Sequence, residues 1–181
     1  MLINEKQLLP DNFVQLPDNS GRVGKIVELE EEGQWILIDF KEETNRRVDR
    51  RQALRMHLVP PDGFLARDFR DHENTRALMV DGPLRLVAAA LIDFESLGKS
   101  SKASDLKSRL GTERMLPDGM TWEAWWNRVR PAIKEVPDFR ESKGNYSLSR
   151  SVKNSMDVPL APLPDPPRPA NKKAKQPVEP V

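Results

Sequence analysis

The sequence predicts an α+β chain in three parts: a small SH3-like β-barrel over residues 1–62, a three-helix winged-helix-like domain over 73–150, and a disordered Pro-rich tail over 151–181. Three observations carry this. Between residues 20 and 40, β-branched and aromatic residues alternate in part with polar ones around a polar turn. Between residues 84 and 133, apolar residues recur at helical spacing in three capped segments. Half of the 16 prolines fall in the final segment, residues 151–181.

The barrel comes first. Ser20 to Leu29 and Gln34 to Phe40 flank the turn Glu30-Glu31-Glu32-Gly33, which is the pattern of a hairpin. Gly24 breaks the alternation and marks a bulge or a tight bend. Arg46 to Arg51 supply a third short strand, and Ala53 to Val59 lead to Pro60-Pro61. Trp35 belongs either to the barrel core or to an outer binding face.

The helices follow. Asp81-Gly82-Pro83 is a helix start, with Asp81 as cap and Pro83 in the first turn. The stretch Leu84 to Leu97 is apolar on nearly every side and is stopped by Gly98. Ser104 caps a short helix that carries Leu106 and Leu110 and ends at Gly111. Thr121 opens a third helix, in which Trp122, Trp125, Trp126, Val129 and Ile133 form one apolar stripe. Pro131 removes a backbone bond there, so a kink or a restart after Arg130 is expected. Phe139 to Leu148 makes a hairpin with its turn at Lys143-Gly144-Asn145. Three helices followed by such a hairpin is the order of a winged helix-turn-helix. In the tail, Val158 to Pro169 cannot be helical, and its composition buries too little apolar surface to offset ordering entropy. It reads as a solvated spacer or tail, with a docking motif for a partner as the other reading.

Composition narrows the function classes. Lys+Arg is 29 against 28 Asp+Glu, so any basic surface is local rather than a property of the whole chain. Cysteine is absent, which removes disulfides, thiolate metal ligands and thiolate nucleophiles. Met1 to Lys6 lacks the basic-then-apolar pattern of a secretory signal, and no apolar run approaches the ~20 residues of a membrane span; a cytoplasmic protein without membrane contact is expected.

Trp122-Glu123-Ala124-Trp125-Trp126, then Pro137-Asp138-Phe139 and Tyr146-Ser147-Leu148, resembles the W-x-x-W-W…P-x-F…Y-x-L segment in the N-terminal extensions of long Gre-type bacterial transcription elongation factors. A small barrel segment precedes it in those extensions, and Gly24-Lys25-Ile26 and Ile38-Asp39-Phe40 look similar to its motifs. The likeness spans about residues 20–150. This chain has no acidic-tipped coiled coil, the part that carries cleavage activity in the family, so no catalytic residue transfers. The resemblance implies association with transcription or nucleic acid.

No catalytic constellation is present. Asp68, Asp71, His72 and Glu73 are metal-ligand types, but they sit in what reads as a hydrated link between barrel and helices, with no second His at ligand spacing. There is no phosphate-binding loop and no GxGxxG. Neither a metal nor a cofactor is expected, and a non-enzymatic protein is. Trp122, Trp125 and Trp126 read as structural core from their spacing, with a base-stacking platform as the other reading.

Basic residues supply the functional expectation. Residues 121–153 hold seven Lys/Arg and four acids. Asn127, Arg128, Arg130 and Lys134 on the third helix, with Arg140 and Lys143 on the wing, form the expected nucleic-acid contact surface. Arg46, Arg47, Arg50 and Arg51 form a possible second basic patch. The expected partner is nucleic acid or RNA polymerase-type machinery, with a protein partner. The alternative is a scaffold or adaptor subunit of a larger bacterial complex that binds protein only.

Overall fold

A computed structural model of the chain describes residues 2–17, 21–99, 101–152 and 154–166. The chain is mixed α and β. Five strands come from its first third: β1 (Phe13–Gln15), β2 (Val23–Glu30), β3 (Trp35–Phe40), β4 (Glu43–Asp49) and, after a one-turn helix α1 (Arg50–Ala53), β5 (His57–Val59). They form one antiparallel sheet in the order β4-β3-β2-β1-β5. The period of two along β3 decides what is buried. Ile36, Ile38 and Phe40 point inward, and Trp35, Leu37 and Asp39 are half-buried on the other face. Val14, Ile26, Val48, Ala53 and Met56 join the inward set, and Ile3 and Leu8 from the N-terminal segment complete it.

Two details differ from the sequence expectation. The irregularity in β2 lies between Ile26 and Glu28, while Gly24 pairs in regular register with Phe40. And β1, flanked by Pro10 and Pro17, is too short to show a period; it joins the sheet because β2 and β5 flank it on either side.

Six elements follow α1 and β5 in the helical part before the final hairpin: α2 (Phe64–Arg70), α3 (His72–Asp81), α4 (Pro83–Ser96), β6 (Ser101–Lys102), α5 (Ala103–Leu110) and α6 (Trp122–Glu135). The stretch expected as a hydrated link is in fact α2 and α3. Asp71 caps α3 by accepting the Asn74 N–H at 3.0 Å, and Thr75 and Met79 are buried beneath it. Asp81 is therefore the last residue of α3 rather than a cap; Gly82 takes the cap position of α4, with Pro83 at its start. Ser104 is not a cap either: α5 starts at Ala103, and the Asp105 carboxylate accepts the Lys102 N–H at 2.8 Å. Helix α6 begins at Thr121, whose hydroxyl accepts the Ala124 N–H, and runs through Pro131 without a break. The carbonyl left without its helical donor belongs to Asn127, an exposed residue, and the buried stripe continues to Ile133.

The hairpin expected as a wing, β7 (Phe139–Ser142) and β8 (Asn145–Leu148), turns at Lys143 and Gly144, both at positive φ, the conformation of a tight two-residue hairpin turn. β6 adds to β8, giving a three-stranded antiparallel sheet in the order β6-β8-β7.

The two parts meet at α2. Ala66 packs with Phe13 and Val59 of the five-stranded sheet, and Phe13 meets Phe69 edge-on at 5.6 Å. The other side of this joint is Asp93 of α4, only 2% exposed. Its carboxylate accepts the Leu65 N–H at 3.0 Å and so caps α2 from a different helix. Gly63, the residue before α2, leaves room for it: a Cβ there would lie 1.9 Å from Asp93 Oδ1. Burial pushes the Asp93 carboxyl up to about 7; the Arg109 guanidinium, 3.7 Å away, and the Leu65 N–H work against that rise and do not cancel it. The folded chain thus holds a proton that the unfolded chain has released, between about pH 4 and pH 7, so stability falls as pH rises through that window. The Asp93→Asn variant keeps an acceptor for Leu65 and is expected to flatten this dependence, by at most ~1.4 kcal/mol per pH unit. Denaturant unfolding at pH 5 and pH 8 checks it; parallel pH profiles for parent and variant would refute it.

The expectation of a free tail from residue 151 is corrected over the described part. Val152, Val158 and Leu163 are buried in the same core as the helices. Arg85 donates to the Val158 carbonyl at 2.8 Å, and the Leu163 N–H donates to the Val80 carbonyl at 2.6 Å. A segment whose prolines offer few donors is held by arginines that take its carbonyls, and two aliphatic side chains fill sockets in the helical body. Residues 167–181 lie outside the described residues.

Candidate nucleic-acid interface

The surface built by α6 and the wing starts from the tryptophan stripe. Trp122, Trp125 and Trp126 are all buried and pack on one another, with Trp122 and Trp126 stacked at 5.3 Å and Tyr146 of β8 edge-on to Trp126. These rings are not available to stack on bases. Their burial fixes the rotation of α6, which turns Glu123, Asn127, Arg130 and Lys134 outward in one row.

That row is tied at both ends. Glu123 accepts from Lys107 of α5 at 2.6 Å, and this hydrogen bond holds its carboxyl below the ordinary value. Glu141 of β7 takes both Arg130, at 3.3 Å, and Lys134, at 3.7 Å. One carboxylate facing two cations leaves a net positive charge at the seam between helix and wing. Beyond the seam, Arg140 and Lys143 are exposed and without an ion-pair partner among the described residues.

Asn127, Arg130 and Lys134 therefore share the outward row of α6, which Glu141 ties to the hairpin that bears Arg140 and Lys143. Arg128 does not. It stands on the opposite flank of α6 and donates to the carbonyls of Leu163 and Pro164. The signal was readable in the sequence: two positions along a helix point ~160° apart, so Arg128 and Arg130 cannot share a face.

The second basic set is largely spent inside the five-stranded sheet. Arg47 pairs with Glu30 and Glu31 and lies 4.3 Å over the Trp35 ring. Arg46 pairs with Glu43, and Arg50 with Glu5. Arg51 alone of the four is exposed without a partner among the described residues. β4 is one of the two edge strands of its sheet, where such long charged side chains discourage pairing with another chain.

The candidate metal ligands have other work. Asp68 is bonded to His72 and to Lys41, the latter at 2.8 Å. Burial opposes its charge, but the hydrogen bonds from Lys41 and His72 outweigh that and hold the carboxyl below its ordinary value. Asp71 is the α3 cap. Among the described residues, no group of three or more ligand-type side chains comes together to hold a metal ion, and no helix is long and apolar enough to cross a membrane.

Compared with models of protein families, with curated proteins and with solved structures, the chain matches none.

Proposed function

We propose that this chain is a non-enzymatic binding module that contacts nucleic acid, in the setting of the transcription machinery, through α6 and the wing. One observation carries the reading. A helix, a two-residue strand, two more helices and a hairpin follow in that order, with β6 and β8 paired, and the outward row of the last helix adjoins a wing bearing unpaired cations. This arrangement supports a winged-helix reading of the second part. The antiparallel order β4-β3-β2-β1-β5 with a one-turn helix before the last strand supports an SH3-like reading of the first. In a winged helix the outward row of the third helix and the hairpin are the surfaces that meet groove and phosphates.

The test is fluorescence anisotropy with a labelled duplex and a labelled single strand between roughly 50 and 200 mM salt. Affinity is expected to fall steeply with salt. Replacing Arg130, Lys134 and Lys143 together by Glu is expected to weaken binding at least ~10-fold and to lower the log–log salt slope by ~1 for each phosphate no longer neutralised. All three side chains are exposed and off the buried stripe, so the fold should hold, with a small fall in melting temperature because Glu at 130 and 134 would face Glu141. A protein-only adaptor is the second reading. The internal pairing of Arg46, Arg47 and Arg50 favours it, and it prevails if the parent binds neither probe at low salt.

A further inference from the structure

Residues paired directly across an antiparallel sheet share a face, and that face alternates along each strand. Applied to the wing sheet, this sorts its charges. Ser101, Tyr146 and Glu141 are paired across one row, and Tyr146 is buried, so this row belongs to the inner face that packs on the helices. Lys102, Asn145 and Ser142 are paired across the next row, and Arg140 with Ser147 across a third on the same side. The outer face therefore carries Lys102 and Arg140 on its two outer strands, with Asn145, Ser142 and Ser147 between them and Lys143 at the turn. None of these strand positions is acidic.

The same alternation places the one carboxylate of the hairpin strands, Glu141, on the inner side, where it is engaged with Arg130 and Lys134. The carboxylate near β6, Asp105, receives the backbone N–H of Lys102. Lys102, Arg140 and Lys143 are each exposed and without an ion-pair partner among the described residues. The seam cations of α6 thus give up part of their charge to Glu141, while the outer wing face keeps all of its own.

Resting on the nucleic-acid reading above, we propose that the outer face of the wing sheet is the phosphate-binding track, with Lys102 and Arg140 as its anchors and Lys143 joining it to the α6 row. Lys102 is contributed by β6, the two-residue strand inserted between α4 and α5, so this face is complete only once the helical part has folded. The two outer strands lie roughly 10 Å apart at the usual ~4.8 Å strand spacing. Lys102 and Arg140 also stand in different rows, two residues apart along the strands, so the two cations reach different phosphates of a bound strand. The hydroxyl and amide side chains between the anchors can donate to phosphate oxygens without repelling them.

The experiment compares the parent, Lys102→Glu/Arg140→Glu and Arg130→Glu/Lys134→Glu, using a labelled duplex and a labelled single strand, with circular dichroism as the folding control. The expected result is at least ~10-fold weaker binding and a salt slope lower by ~2 for the outer-face variant, at an unchanged melting temperature. Lys102→Gln/Arg140→Gln, which removes charge without reversing it, should show the same slope change. If the outer-face variants bind like the parent while Arg130→Glu/Lys134→Glu loses binding, the track is overturned and the nucleic-acid reading stands. If the parent binds neither probe, both fall. Binding of the parent to a poly-glutamate peptide but not to either probe, lost in the outer-face variant, overturns the proposal in favour of an acidic protein partner.

Discussion

Trp125→Ala is expected to cost ~3–5 kcal/mol of unfolding free energy, the range for emptying an aromatic site in a packed core. The side chain is fully buried and touches both other tryptophans of α6, at 5.2 and 6.3 Å between ring centres. It also does a second job. The last turn of α3 leaves carbonyls without helical partners, as every helix end does. Gly82 takes that of Leu78, Leu163 that of Val80, and the Trp125 indole N–H that of Met79, at 2.7 Å. Alanine removes the ring and orphans the Met79 carbonyl. Phenylalanine removes the donor and part of the ring system, so Trp125→Phe should lose at least the ~1–3 kcal/mol of an unsatisfied buried acceptor and less than alanine does. Denaturant unfolding followed at 222 nm separates the three proteins without relying on tryptophan emission. Equal midpoints for parent and Trp125→Ala would show that the ring is not core, and would reopen the stacking reading.

The contrast between what was legible in the sequence and what was not follows from how each element is stabilised. β3 and α6 carry their own period, so the strand and the tryptophan stripe could be placed from residue type alone, but which face of β3 turns inward, that of Trp35 or that of Ile36, Ile38 and Phe40, could not. Thr121 and Gly111 announced their helix ends in the same way. Helices α2 and α3 could not be found like this. Their sequences, FLARDFR and HENTRALMVD, are charged and short, and they are helical because Ala66 meets Phe13 and Val59, and Met79 meets Trp125. Those partners lie far away in sequence. β6 is two residues long and exists only because β8 offers it an edge. Of the candidate interface, the outward row of α6 and the wing cations were readable, but Glu141's double engagement and the inclusion of Lys102 were not, because both depend on strand register.

A chain ending at Asp157 is expected to be less stable than one ending at Pro166 by about 2–4 kcal/mol, the worth of one to two fully buried aliphatic side chains. Composition argues the other way: a proline-rich stretch with few large aliphatics should lie free. The outcome turns on two residues. Val158 is fully buried and Leu163 is 8% exposed, five positions apart on a segment that cannot coil into a helix. Prolines 159, 162 and 164 restrict the unfolded chain in this stretch, so docking it costs less entropy than the same length of ordinary sequence. Arg85 and Arg128 then take carbonyls that no strand or helix would satisfy. For a domain of this size the loss amounts to a fall in melting temperature of roughly 5–15 °C. The double variant Val158→Ala/Leu163→Ala, made in the full chain, reports on the same sockets and should destabilise no more than the truncation does, because undocking of the segment caps the loss. Two truncated chains that melt together would mean that the sockets contribute nothing and that the segment merely lies against the helices. A fall in the truncated chain that the double variant does not share would place the stabilisation on the arginine–carbonyl bonds instead.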